Sequence, residues 1–138
     1  MGTTPHEALD RLRVAGRDGR LAALCHRRNL RILGVFGSTL KPGRPKDLDV
    51  AVVVDRQADG PDLDLIGLYD DLTVLTGCEL LDVAVLNGAP PTLRARALCG
   101  EGLYELEAGD YAVAQMAALA EYRDTAHLRR LELERLVG

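Results

Sequence analysis

The pentapeptide LDVAV occurs at Leu48–Val52 and again at Leu81–Val85. Each copy is an apolar, valine-rich run with one aspartate set into it. Aspartate is depleted in strands, and a buried carboxylate is costly unless its charge is compensated. The flanks, KDLDVAVVVD and ELLDVAVLNG, do not otherwise align. The repeat is therefore one chemistry placed in two strands, not a duplicated unit.

Strand side chains alternate between faces. Asp47 and Asp49 then share one side of the first strand, while Leu48, Val50, Val52 and Val54 project from the other into a core. Asp82, Ala84 and Leu86 share a face of the later strand in the same way. If the two strands are neighbours, roughly 5 Å apart, Asp82 sits beside Asp49 and three carboxylates converge near a strand end. Carboxylates that close raise one another's pKa unless cations neutralise them. A hard divalent cation such as Mg²⁺ takes carboxylate oxygens together with substrate phosphates. Two such ions stabilise the attacking and leaving oxygens of an in-line phosphoryl displacement. Asp47, Asp49 and Asp82 are accordingly the candidate catalytic and metal-ligating residues.

Upstream, RILGVF at Arg31–Phe36 is a short strand ended by Gly37-Ser38. A glycine lets the backbone approach a phosphate closely, and free amides with a hydroxyl can hold its oxygens. The following TLKPGRPK stretch has loop composition, and its Lys41, Arg44 and Lys46 can neutralise more of a triphosphate. The spacing is not that of a Walker A loop, which ends in GK[ST]. Gly37, Ser38, Lys41, Arg44 and Lys46 are the candidate nucleotide-binding residues.

The remaining elements follow from local signals. Thr4-Pro5-His6-Glu7 is a capping-box helix start with proline at the first helical position. Gly16 and Gly19 predict a break before a second helical piece at Arg20–Arg28. Asp59-Gly60-Pro61 reads as a turn, and Pro61 as the start of a helix with Leu65, Leu68, Leu72 and Leu75 on one face, closed by Gly77. A third strand spans Leu80–Leu86, a short helix Thr92–Cys99, and a fourth, edge strand Leu103–Leu106. Asp110 to Leu136 reads as one long helix. Its apolar residues suit core packing by default, and partner contact because the helix is long for so small a sheet.

The 138 residues suit one domain, residues 1–138, with 47% hydrophobic and 28% charged residues. The net charge of −4 argues against broad binding to nucleic acid. Arg27, Arg28 and Arg31, and Arg129 with Arg130, read as solvated helix ends. Cys25, Cys78 and Cys99 are odd in number and lack CxxC spacing, so neither a disulfide framework nor a zinc site is expected, and a reducing cytoplasm fits. No signal peptide and no membrane span is expected. His6, His26 and His127 are isolated and carry no expected chemistry. Asp55 and Asp59 read as turn residues, Asp70, Asp71 and Glu79 as exposed positions, and Tyr69 and Tyr104 as packing aromatics.

Taken together, GVFGSTLKPGRPKDLDVAVV resembles the signature of the minimal nucleotidyltransferases of the DNA polymerase β superfamily. That signature is Gly-Ser, a short variable run, Asp-x-Asp and a third Asp on a later strand. Gly37-Ser38, Asp47-x-Asp49 and Asp82 occupy those places. LLDVAVLNGAPPTLRARALCGEGLYE is similar to the family's strand, proline, helix and G-x-x-L-Y ending. The resemblance covers about residues 20–106, with the helix of 110–136 a looser match. The run from Ser38 to Asp47 is shorter than in most members, and Lys46 stands where Ser or Asn is usual. The resemblance implies an α/β (α+β) fold: a small mixed sheet flanked by helices, with a long C-terminal helix. It implies ATP as donor, Mg²⁺ as cofactor with two ions, and nucleotidyl transfer with release of pyrophosphate. Asp47 and Asp49 would hold the metals, and Asp82 would complete the site and help activate the acceptor hydroxyl. Many small members are antitoxins paired with a HEPN ribonuclease toxin, which they neutralise by adenylylating a tyrosine. The chain's size, with no room for a large acceptor-binding domain, favours that branch and a hetero-oligomer with a HEPN partner. The alternative is a binding subunit of the same fold that neutralises its partner by contact.

Overall fold

The computed structural model describes residues 2–56 and 62–137. Helix α1 (Pro5–Asp18) begins as its sequence predicts: the Thr4 hydroxyl accepts from the Glu7 amide, and the Glu7 carboxylate reaches back to Thr4. Gly19, at φ 91°, ends it and starts α2 (Arg20–Arg27). Strand β1 (Leu30–Phe36) leads through a 3-10 turn, Gly37–Leu40, and a loop to β2 (Leu48–Val54). Helix α3 (Leu65–Thr76) precedes β3 (Leu81–Val85), α4 (Pro91–Leu98) and β4 (Glu101–Glu105). Two helices, α5 (Asp110–Asp124) and α6 (Ala126–Val137), close the chain.

The sheet order is β3-β2-β1-β4. β1 is antiparallel to β2 and to β4, and β2 is parallel to β3. On one face, α1, α2 and α3 bury Leu33, Val35, Leu48, Val50, Val52 and Val54 against Leu9, Leu12, Leu21, Leu68 and Leu72. The opposite face carries a smaller core, where Ile32, Phe36, Ala51 and Leu86 meet Ala97, Leu98 and Ala118. Small residues there let α4 and α5 come close. A side chain at Gly34 or Gly102 would run into the Tyr111 ring, which lies over both. Tyr111 donates its hydroxyl to the Leu98 carbonyl at 3.1 Å, and burial pushes that hydroxyl up to about 12.

Several expectations shift at their edges. The turn at Asp59-Gly60-Pro61 and the helix start at Pro61 lie outside the described residues; α3 is capped by Asp64, whose side chain accepts from the Gly67 amide at 3.0 Å. On that helix Leu68 and Leu72 are buried, but Leu65 is exposed. β4 begins at Glu101, earlier than the expected start at Leu103. Gly100 is required because a side chain there would strike the Val35 carbonyl. The single long C-terminal helix is broken at Thr125. The Thr125 hydroxyl donates to the Glu121 carbonyl at 2.9 Å, and Arg129 donates to the Tyr122 carbonyl at 2.7 Å while its guanidinium stacks on the Tyr122 ring. Side-chain bonds to the helix's own carbonyls compete with its ladder.

The arginines of α2 and β1 are not merely solvated. Arg28 Nε donates to Asp71 at 2.7 Å, which makes Asp71 an ion-pair partner and not an exposed position. Arg31 bridges Asp110 at 2.9 Å and Asp55 at 3.4 Å. Among the described residues no helix is long and apolar enough to cross a membrane.

Leu33, fully buried in the larger core, tests this packing. Leu33→Ala is expected to lower unfolding free energy by about 2–5 kcal/mol, read as a shift in the urea midpoint at unchanged slope.

Candidate active site

The parallel pairing of β2 and β3 sets Asp49 opposite Asp82. In-register parallel neighbours point the same way, and strands lie about 4.8 Å apart. The two carboxylates therefore stand abreast on the α4 side of the sheet, where Ala51 and Ala84 follow them along the same face. Asp47 lies one residue before β2, in a bend, so strand alternation alone does not fix its direction. Electrostatics supplies the missing link. The Asp49 carboxyl is held above its ordinary value near 3.8, first by burial, then by Asp82 and Asp47. Asp82 and Asp47 are thus both near enough for their charge to be felt at Asp49, while the strand register itself fixes only the Asp49–Asp82 pair. Among the described residues none of them forms a side-chain hydrogen bond or ion pair.

Gly37 is part of the same arrangement. β1 and β2 pair Phe36 with Asp49, which carries Gly37 past the end of β1 and over that aspartate. Its φ of 83° is left-handed backbone, and a side chain there would overlap the Asp49 carboxylate. Glycine is thus needed twice, for the turn and for the space beside the acid. The 3-10 turn that follows places Ser38 on the surface and buries Thr39, whose hydroxyl has no partner among the described residues. First amides of a helical turn lack intrahelical acceptors, so this corner can receive an anion.

The basic residues divide. Lys41, Arg44 and Lys46 are exposed on the loop and make no ion pair among the described residues. His6 on α1 ties that loop down through the Gly43 carbonyl at 3.1 Å. Arg96 of α4, a helix packed over the acid-bearing face, opposes the rise in the Asp49 pKa. Sequence reasoning gave His6 no role and passed over Arg96. The signal for Arg96 was present: its helix directly follows the strand bearing Asp82.

Among the described residues no three His, Cys, Asp or Glu side chains cluster tightly enough to hold a metal unaided. The donor set nevertheless fits Mg²⁺, which takes one or two carboxylates and fills its sphere with water and phosphate oxygens. Asp49 and Asp82 offer such a pair, hard oxygens that form no ion pair among the described residues.

No protein-family model and no curated protein matches the chain. Solved structures do match. A chain of a mutant MntA–HpeT toxin–antitoxin complex superposes with a TM-score of 0.66 at 18% identity, covering 87% of this chain and 98% of its own. A toxin–antitoxin structure with AMP-PNP gives 0.65 at 18% identity, over 87% and 98%. A third, from Shewanella oneidensis, is a tri-AMPylated HEPN toxin in complex with its MNT antitoxin, at 0.63 and 18% over 87% and 95%. At such identity the likeness is one of fold. This chain has the nucleotidyltransferase fold of those antitoxins.

The raised Asp49 pKa gives a signed prediction. A group whose folded pKa lies above its unfolded one favours the fold when protonated and loses that contribution as pH rises. Asp49→Asn, without metal, should therefore be more stable than wild type at neutral pH. The gap should open as pH climbs past about 3.8 and vanish below it. Urea unfolding across that range measures it; a variant that is less stable at neutral pH would refute the assignment.

Proposed function

We propose that this protein is a Mg²⁺-dependent nucleotidyltransferase that moves AMP from ATP onto a tyrosine of a HEPN toxin and so acts as its antitoxin. The observation that carries the reading is the register of β2 and β3, which sets Asp49 beside Asp82 with Gly37 folded over Asp49. The fold shared with antitoxins crystallised alongside HEPN toxins supports the partner, and the tri-AMPylated toxin in one of them supports the chemistry.

The reaction divides among this chain's residues. Asp47 and Asp49, with Asp82, would hold Mg²⁺, which when bound neutralises the carboxylates and polarises the phosphates. Gly37 and Ser38 present the turn on which phosphate oxygens rest. The acceptor hydroxyl attacks the α-phosphorus, the bond from that phosphorus to the bridging oxygen breaks, and pyrophosphate leaves with the bond's electron pair. Asp82 is the base to which the hydroxyl proton passes. It is exposed on β3, an edge strand, so a side chain carried by another protein can approach it. Lys41, Arg44 and Lys46, exposed and without an ion pair among the described residues, would meet the charged donor or the partner.

Contact alone is the second reading, favoured by the absence of a tight three-ligand cluster among the described residues. One experiment separates the two. The purified protein is incubated with a co-expressed HEPN protein, ATP and Mg²⁺, and the partner's intact mass is recorded. The expected result is added AMP that disappears in the Asp47→Asn/Asp49→Asn double variant. Equal labelling by the variant contradicts the mechanism, and neutralisation without labelling by either protein supports contact.

A further inference from the structure

We propose that Arg96 is a phosphate-binding residue of the carboxylate site, the cation that grips the polyphosphate of the incoming nucleotide. The inference rests on the nucleotidyltransferase reading above and adds a residue outside the motif.

Helix α4 packs on the face from which the acids project. Its Leu93, Ala97 and Leu98 meet Ala51, Ala84 and Leu86, and the first two of these share their strand faces with Asp49 and Asp82. The helix carries two arginines, two residues apart. At 100° per residue they fall about 200° from each other, on opposite flanks. Arg94 turns toward α5 and pairs with Glu121. Arg96 lies on the other flank, is exposed, and has no hydrogen bond or ion pair among the described residues. Its charge is nevertheless felt at Asp49, where it opposes the effect of Asp82 and Asp47. Arg96 thus sits on the flank of α4 away from α5, on a helix packed over the acid-bearing face, and makes no ion pair with the acids among the described residues. That arrangement suits a bound anion whose own cations sit on the carboxylates.

Lys41, Arg44 and Lys46 sit on the exposed loop before β2, not on the helix that packs over the acid-bearing face. Chemistry favours an arginine there, since its planar fork meets phosphate oxygens in pairs and keeps its charge at any working pH. A helix anchored by buried Ala95, Ala97 and Leu98 holds the fork's base more rigidly than a loop does.

Isothermal titration of the full chain with ATP plus Mg²⁺, and separately with AMP plus Mg²⁺, tests the assignment. Arg96→Ala should weaken ATP binding roughly tenfold or more and leave AMP binding within twofold. Arg96→Lys should recover part of the ATP loss, which a merely structural role would not predict, and Arg94→Ala should leave the ATP-to-AMP ratio unchanged. Circular dichroism melting confirms that each variant is folded, and Arg96→Gln stands in should the alanine variant fail. Undiminished ATP binding by Arg96→Ala overturns the inference while the nucleotidyltransferase reading stands. Wild-type protein that binds no ATP overturns both.

Discussion

Two like charges forced side by side are the constraint around which this fold is arranged. The β2–β3 register leaves Asp49 and Asp82 one strand spacing apart, and a hydrogen-bonded sheet cannot relax that distance. Asp49 is also half-buried, so water screens the repulsion poorly. Its surroundings then read as accommodation. Gly37 gives up its side chain to leave room for the carboxylate. Ala51 and Ala84, next along the same face, leave space for a helix. That helix also carries Arg96, exposed and without an ion pair among the described residues.

Such a site needs a scaffold that holds its geometry against its own electrostatics, and the two faces of the sheet divide that work. The α1–α3 face is a leucine- and valine-rich core that fixes the strands. Ion pairs fasten its outer elements: Arg13 bonds both oxygens of Glu101, at 2.7 and 2.8 Å, joining α1 to β4, and Arg28 joins α2 to Asp71 of α3. The thinner face is built for approach. Tyr111 covers the two glycines of β1 and β4 and supplies the area they lack, which docks α5 and braces α4 beside the acids. Tyr69 accepts from the Val83 amide at 2.9 Å, pinning the edge strand next to Asp82.

What the sequence disclosed follows the range of each interaction. The capping box at Thr4, the break at Gly19 and the strand faces of Asp49 and Asp82 are local patterns, and they were legible. So was the Gly37-Ser38 corner, because a glycine after a strand signals a turn. The rest depends on distant partners. Gly100 and Gly102 fall before the strand expected at Leu103, yet they permit β4 to lie against β1 and Tyr111. Composition continues unchanged through Thr125, and only its hydroxyl and Arg129 reveal the break in the terminal helix. Asp71 looked exposed because its partner, Arg28, lies far away in the chain. Arg96 was overlooked because positive charge was sought inside the motif loop, whereas this arginine lies on a helix beyond the third acid.

The most direct measurement is carboxyl-carbon NMR of Asp49 titrated with pH in the metal-free protein, alone and with Asp82→Asn. If the acids share one site, Asp49 titrates above the ordinary aspartate value and moves back toward it when Asp82 loses its charge. An Asp49 titration that is ordinary in both proteins, or indifferent to residue 82, contradicts the account.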